Sequence, residues 1–236
     1  PNYDSLVAFK GYDLLYGTSY SFDSATDPKV KFSIVNKETK KITSGTISIS
    51  KDVRGDNHYL TPEVTFYRKG NTVYGVIPMP ESENRGSKAP SYSFVTFSVN
   101  LETGATTPAK RVKLPEELAT VAWGEAKSSR VYDPQVLLFK SMYARDEKFR
   151  LMTFDAETEK FTEITPEQGM SPTHSILYTV EDKAYIALAD EVPAFTGSDS
   201  YVKASERKNN ETKYYVLDAG SKKLEEAFTT ETDVYA

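Results

Sequence analysis

Phe32-Ser-Ile-Val35 runs into Asn36-Lys-Glu-Thr39, and Lys41-Ile-Thr-Ser-Gly-Thr-Ile-Ser-Ile49 leads away. Apolar and polar residues alternate on both sides of the turn, the mark of strands with one buried face. Asn36 can bond the backbone two residues on, and Thr39 does so more weakly, so the middle of the stretch reads as a tight hairpin. The same hairpin returns as Asn100-Leu-Glu-Thr103, Asp155-Ala-Glu-Thr158 and Asp218-Ala-Gly-Ser221. The strands Phe94–Val99, Phe149–Phe154 and Lys213–Leu217 precede these later copies. A spacing of about sixty residues marks a repeat architecture.

A second hairpin precedes the first in each unit. Leu6–Phe9 turns through Lys10–Asp13 into Leu14–Thr18, and Val64–Tyr67 through Arg68–Asn71 into Thr72–Ile77. Ile176–Val180 turns through Glu181–Lys183 into Ala184–Leu188. Gly, Asn and Asp suit the positive φ of such turns. Tyr16, Tyr74 and Tyr185 are expected at equivalent positions, as a packing ladder. The third unit is less regular, with Val121–Trp123 and Val136–Phe139 as its first two strands and a helical turn expected at Glu116–Leu118. Four antiparallel strands per unit (A to D in chain order) describe the blades of an all-β propeller, with repeats at 3–57, 58–119, 120–172 and 173–236. A β-sandwich is the rival, but it needs no periodic hairpin. With no visible clasp between the termini, about four blades are expected to form part of a larger ring, completed by a missing half or a second chain; a complete four-bladed ring is the alternative.

The bulk properties fit. Of 236 residues, 39% are hydrophobic and 12% aromatic, and Tyr (16) and Phe (12) dominate, which favours strands. A net charge of −5 argues against a nucleic-acid partner. No run approaches eighteen consecutive apolar residues, so no membrane-spanning helix is expected. The absence of cysteine removes disulfides, thiolate catalysis and Cys-based metal sites. The chain opens at Pro1 without Met, from which a removed leader or longer N-terminal part is expected.

In a propeller, the B-to-C and D-to-A connections share one face, and the A-to-B and C-to-D turns share the other. The second set reads as short and regular. The B-to-C loops, 22–29, 78–91, 142–148 and 189–213, are long and uneven, which is where rigid scaffolds carry binding sites. The last holds Phe195, Tyr201, Lys203, Arg207 and Lys208. His58 and His174 are expected in equivalent D-to-A connections, with Tyr3, Tyr59 and Trp123 at or near similar positions. The candidate ligand-binding set is therefore His58, Tyr59, Trp123, His174, Tyr201 and Arg207. Aromatic and imidazole groups suit a planar or sugar-like ligand or a metal chelate. Arg54, Arg85, Lys88, Arg130, Lys140, Arg145, Arg207 and Lys208 are candidate cations for an anionic ligand. No catalytic set, cofactor or metal site is expected: nucleophile-elbow, phosphate-loop and dinucleotide motifs are absent, and Glu116/Glu117 and Glu225/Glu226 are adjacent pairs that point to opposite strand faces.

The long B-to-C loops, the [Asn/Asp]-x-Glu-Thr hairpins, the Tyr-rich strands and the lack of Cys resemble the cell-surface lipoprotein propellers of Bacteroidetes. These carry a domain of unknown function, and some capture iron siderophores. Extracytoplasmic YVTN-type repeat propellers are similar in the same features. The resemblance implies a non-catalytic, extracytoplasmic ligand-binding propeller. It also implies a ferric siderophore or similar nutrient as ligand and an outer-membrane TonB-dependent transporter as partner. It carries no site residue over one to one. Two other readings stay open: a carbohydrate-active hydrolase or lyase, which needs two converging carboxylates, and a protein-interaction scaffold, which needs an exposed apolar patch.

Overall fold

The computed structural model describes residues 3–19, 26–55, 64–80, 92–122, 132–143, 149–164, 170–180, 183–190, 212–218, 221 and 223–230, with the backbone alone in parts of these. Among these described residues, sixteen strands form four sheets. The first sheet holds β1 (Ser5–Phe9), β2 (Tyr12–Ser19), β3 (Lys29–Asn36) and β4 (Ile42–Ser48). The second holds β5 (Thr65–Lys69), β6 (Thr72–Pro80), β7 (Tyr92–Asn100) and β8 (Lys110–Lys113). β9 (Leu118–Ala122), β10 (Leu137–Tyr143), β11 (Phe149–Asp155) and β12 (Lys160–Ile164) make the third. The fourth comprises β13 (Met170–Val180), β14 (Lys183–Asp190), β15 (Thr212–Leu217) and β16 (Leu224–Thr230). Every sheet is an antiparallel meander in chain order.

Turn chemistry builds the C-to-D hairpins as the sequence predicts. Asn36 Oδ1 accepts from the Glu38 and Thr39 amides at 3.0 and 2.9 Å, and Asn100 Oδ1 from Glu102 and Thr103 at 3.0 and 2.9 Å. Asp155 Oδ1 does the same for Glu157 and Thr158 at 2.9 and 3.2 Å, and Asp218 Oδ1 accepts from the Ser221 amide. The A-to-B turns are tighter than expected: Phe9 pairs with Tyr12 and Lys69 with Thr72, with Gly11 and Gly70 at positive φ between them.

Three buried clusters stack the sheets face to face. The first joins Phe9, Leu14, Phe32 and Ile34 of the first sheet to Phe66, Val73, Ile77 and Phe97 of the second. The second joins Val76, Phe94 and Val112 to Leu137, Phe139 and Phe154 of the third, with Phe94 edge-on to Phe139 at 5.3 Å and to Phe154 at 5.0 Å. The third joins Val136, Leu138, Leu151 and Ile164 to Tyr215 and Leu217. Among the described residues no cluster joins the fourth sheet to the first. Four-stranded meanders stacked in series by their faces are β-propeller blades, four of them in this chain.

Several expectations need correction. A turn of helix, α1 (Lys51–Arg54), stands between the first two sheets, unforeseen because four residues show no period. The helical turn expected at Glu116–Leu118 is a single turn at 116–117, closed by the Leu118 amide on Pro115 O at 3.0 Å, and Leu118 already opens β9. The third unit's first strand is therefore Leu118–Ala122, not Val121–Trp123, and Met170–Pro172 already belong to the fourth sheet. The tyrosine ladder is out of register. Counted from the hairpin pairs Phe9–Tyr12, Lys69–Thr72 and Val180–Lys183, Tyr74 and Tyr185 correspond to Leu14, while Tyr16 corresponds to Val76. Packing is still the role of two of them. Tyr16 meets Phe66 edge-on at 4.9 Å, and Tyr74 stacks on Tyr67 at 5.4 Å.

Candidate functional site

The first strand of each sheet, β1, β5, β9 or β13, forms one of its edges, and in a propeller blade this first strand is the inner one. The best-defined polar centre among the described residues lies along two of these inner edges. The A-to-B connection of the third blade, from Ala122 to Leu137, is long, unlike the tight turns between Phe9 and Tyr12 and between Lys69 and Thr72. Its last part crosses to the first two blades. The Asp133 amide donates to Ala8 O at 2.8 Å, and the Arg68 amide donates to Pro134 O at 2.6 Å. Asp133 and Pro134 thus bond to the inner strands β1 and β5.

Side chains lock this crossing. Arg68 Nη1 donates to Lys10 O at 2.8 Å and to Asp133 Oδ1 at 3.3 Å, while its Nε donates to Gly70 O at 2.6 Å. Gln135 Nε2 donates to Asp133 Oδ2 at 3.3 Å. Asp133 is 4% exposed, so its charge is held by an opposite charge and hydrogen bonds, the condition for burying a carboxylate. Its φ of 48° lies in the left-handed region, which Asp tolerates better than most residues. Lys37, which pairs with Asp13 at 3.0 Å, sits 5.5 Å over the Tyr132 ring.

The same side of the molecule ties the second blade to the third. Lys69 bonds Asp155 Oδ2 at 3.3 Å and Glu157 Oε2, and Lys110 pairs with Glu159 at 2.5 Å. The hydrogen bond to Glu157 is the main reason Lys69 titrates above its ordinary value. The Tyr67 hydroxyl accepts from the Ala156 amide at 2.7 Å, and burial raises its pKa. Asp155 and Glu157 are two carboxylates that do converge, but on an exposed hairpin around a lysine of the neighbouring blade. That is a clasp between blades and leaves neither carboxylate available as an acid or base over a cleft.

On the opposite side, Arg54 is not the ligand-facing cation expected. It is 2% exposed, pairs with Asp27 at 3.6 Å and donates to Gly55 O at 3.3 Å, holding α1 against the first blade. Arg111 Nε bonds Ser93 Oγ at 3.3 Å nearby. Tyr3 does not line a central mouth either. Its hydroxyl shares a 2.5 Å hydrogen bond with Ser33 Oγ, in the third strand of the first blade. His174 lies within β13, between Ser171 and Ser175 where the pairing register breaks, and not in a D-to-A connection. Of β13 the backbone alone is described. His58, Tyr59, Trp123, Tyr201 and Arg207 lie outside the described residues, as do Arg85, Lys88, Arg130, Arg145 and Lys208. Sequence reasoning missed Arg68 and Asp133. The one local signal was an Asp-Pro pair, Asp133-Pro134, which marks a chain direction change without naming its partner.

Among the described residues, no group of three or more His, Cys, Asp or Glu is placed to hold a metal ion, and no helix is long and apolar enough to cross a membrane.

No protein-family model matches the chain, and no curated protein matches it in sequence. Solved structures do resemble it. Trypanosoma rangeli sialidase in complex with the inhibitor DANA aligns over 94% of this chain and 37% of its own, at 16% identity and a TM-score of 0.45. The β-propeller domain of the Trilobed protease from Pyrococcus furiosus, described as having an open velcro topology, aligns over 96% of this chain and 57% of its own, at 14% identity and a TM-score of 0.42. A mutant Synechocystis apocarotenoid oxygenase aligns over 97% and 50%, at 7% identity and a TM-score of 0.39. The chain spans less than two thirds of the length of each of these. The fold assignment rests on the sheet order and the buried clusters.

Proposed function

We propose that this chain is the blade array of a non-catalytic, extracytoplasmic ligand-binding propeller whose site is built on the B-to-C face. One observation carries the reading. The A-to-B side is occupied by structure, because Asp133 and Pro134 lie against the inner strands of the first two blades and are locked there by Arg68. The same side is stitched between the second and third blades by Lys69 and Lys110. The connections free to vary are those of the opposite face: 20–28, 81–91, 144–148 and 191–211. Long, uneven loops on one face of a stiff scaffold are the usual material of a binding site.

Tyr201 and Arg207, with His58, Tyr59 and His174, are the proposed ligand groups; Trp123 follows β9 and so falls in the A-to-B connection of the other face. An anionic, aromatic chelate such as a ferric siderophore is the proposed ligand, since it would use stacking and cation contacts together. A TonB-dependent outer-membrane transporter is the proposed partner. Further blades, from the same protein or a second chain, are proposed to complete the ring. Calorimetric titration with ferric catecholate and ferric hydroxamate chelates should give saturable heat that Arg207→Ala weakens. Absence of saturable heat with either class would sink the proposal.

A further inference from the structure

The four outer strands differ in charge. β8 reads Lys-Arg-Val-Lys, β12 Lys-Phe-Thr-Glu-Ile and β16 Leu-Glu-Glu-Ala-Phe-Thr-Thr, whereas β4 reads Ile-Thr-Ser-Gly-Thr-Ile-Ser. Charges on an edge strand are one way a protein prevents edge-to-edge pairing. β4 has neither charge nor proline, and it is rich in Ile and Thr. Ile42, at 64% exposure, is the most exposed large apolar side chain among the described residues.

Hydrogen bonds at its two ends show which groups β4 offers. The Asn36 amide donates to Lys41 O, and the Ile49 amide donates to Pro28 O, both at 2.9 Å. In an antiparallel ladder, bonded residues alternate along the strand. Lys41, Thr43, Gly45, Ile47 and Ile49 therefore turn their backbone groups toward β3. Ile42, Ser44, Thr46 and Ser48 turn theirs outward, to the edge.

We infer that β4 is the contact of a two-fold homodimer, in which two copies join their first blades through antiparallel β4 strands into one continuous eight-stranded sheet. Only one register uses the whole strand. Gly45 stands on the two-fold axis opposite its own copy, Ser44 faces Thr46, and Ile42 faces Ser48. The four outward residues of each strand then pair in about eight backbone hydrogen bonds. Gly45 falls at a non-hydrogen-bonded pair, where the Cα atoms approach to about 4.5 Å, the closest point in such a ladder. The Phe32 ring already covers Gly45, since a Cβ there would lie 2.8 Å from Phe32 Cε1 and closer still to Cζ. The two rings would flank the axis. No charge meets its like along this register, whereas self-pairing of β8 sets cations against cations and of β16 carboxylates against carboxylates. Nothing in this contact depends on the ligand proposed above.

Sedimentation velocity over a range of concentrations, with amide hydrogen exchange on the same samples, tests it. A reversible dimer should form. The amides of Ile42, Ser44, Thr46 and Ser48 should gain protection as it does, while those of Thr43, Gly45 and Ile47 stay protected throughout. Ser44→Lys with Thr46→Lys sets Lys against Lys at both central pairs, and should weaken the dimer at least tenfold with an unchanged circular dichroism spectrum. Thr158→Lys on the third blade should leave it intact. A monomer at all concentrations, or a dimer in which the outward amides still exchange freely, overturns the inference.

Discussion

Gly75→Ala should destabilise this protein although it adds one methyl group in a strand that disfavours glycine. Gly75 on β6 stands opposite Phe97 on β7, and the Phe97 ring lies across it. A Cβ at Gly75 would fall 2.5 Å from Phe97 Cε2 and closer still to Cζ, inside any real contact. The ring has little room to retreat. It is 3% exposed and meets Phe66 edge-on at 6.0 Å, and Phe66 in turn meets Tyr16 at 4.9 Å. Overpacking of this kind costs about 1–3 kcal/mol, against about 0.5–1 kcal/mol regained by replacing a strand glycine, and the middle of the two ranges leaves a net loss of about 1.2 kcal/mol. With a urea slope of about 3 kcal/mol/M, the midpoint should fall by about 0.4 M at constant slope. Gly45→Ala makes the same clash with Phe32, but β4 is an edge strand that can yield, so its loss should be smaller. A double-mutant cycle isolates the contact: Phe97→Leu should cost less in the Gly75→Ala background than in the parent protein. An unchanged or raised midpoint for Gly75→Ala, or additive behaviour in the cycle, would refute the account.

Three further outcomes follow from the same packing and charges. Phe139→Ala empties the centre of the aromatic cluster between the second and third blades, where Phe139 is 1% exposed, and should cost about 3–5 kcal/mol in urea unfolding. Asp133→Ala strips Arg68 of its buried carboxylate and frees the crossing segment, at a cost of about 1–3 kcal/mol, and amide exchange at Arg68 should accelerate with it. Burial raises the Asp155 pKa, but the Thr158 and Glu157 amides and Lys69 outweigh it and hold the carboxyl below its ordinary 3.8; its contribution to stability is therefore whole above that value and is lost as pH falls through the lowered native one. Asp155→Asn keeps the turn, as Asn36 and Asn100 show, and should flatten the acid limb of unfolding midpoint against pH; a limb as steep as the parent's would count against it.

What was legible in the sequence was local. The C-to-D hairpins could be read because Asn36, Asn100 and Asp155 bond amides two and three residues on and Asp218 the amide three on, and the alternation beside them sets the strands. The tyrosine ladder slipped because residue type is a poor ruler: Tyr16 and Tyr74 share a face but sit one pleat repeat apart, and only the pairing register tells them apart. Arg68 and Asp133 were invisible for a different reason. Their contact spans 65 residues, and its other anchor is the inner edge of β1, farther still along the chain. Arg54 was misread because a cation in a connection looks solvated until the fold closes over it.

The pairing register also explains why the first blade differs from the second on the face that points to the preceding position. Where the second blade places Val73, Val95 and Phe97 against its neighbour, the first places Asp13, Lys31 and Ser33. Ser33 is nonetheless 6% exposed, because Tyr3 closes over it at 2.5 Å and Ser44 meets it from β4 at 2.6 Å. A chain of three hydroxyls thus stands where other blade interfaces have aromatic rings. Buried hydroxyls hold their place only while each keeps a partner. Asp13 is already paired with Lys37 at 3.0 Å, but a further blade meeting this face would have to bring hydrogen-bonding groups to Lys31, because an apolar sheet would strand its charge. The blade proposed to precede this array is therefore expected to differ in composition from the Phe-rich faces inside it, and Tyr3→Phe separates the cases. If the hydroxyl chain is structural, the loss should be about 0.5–1.5 kcal/mol. If Tyr3 merely lies on the surface, the unfolding midpoint should not move.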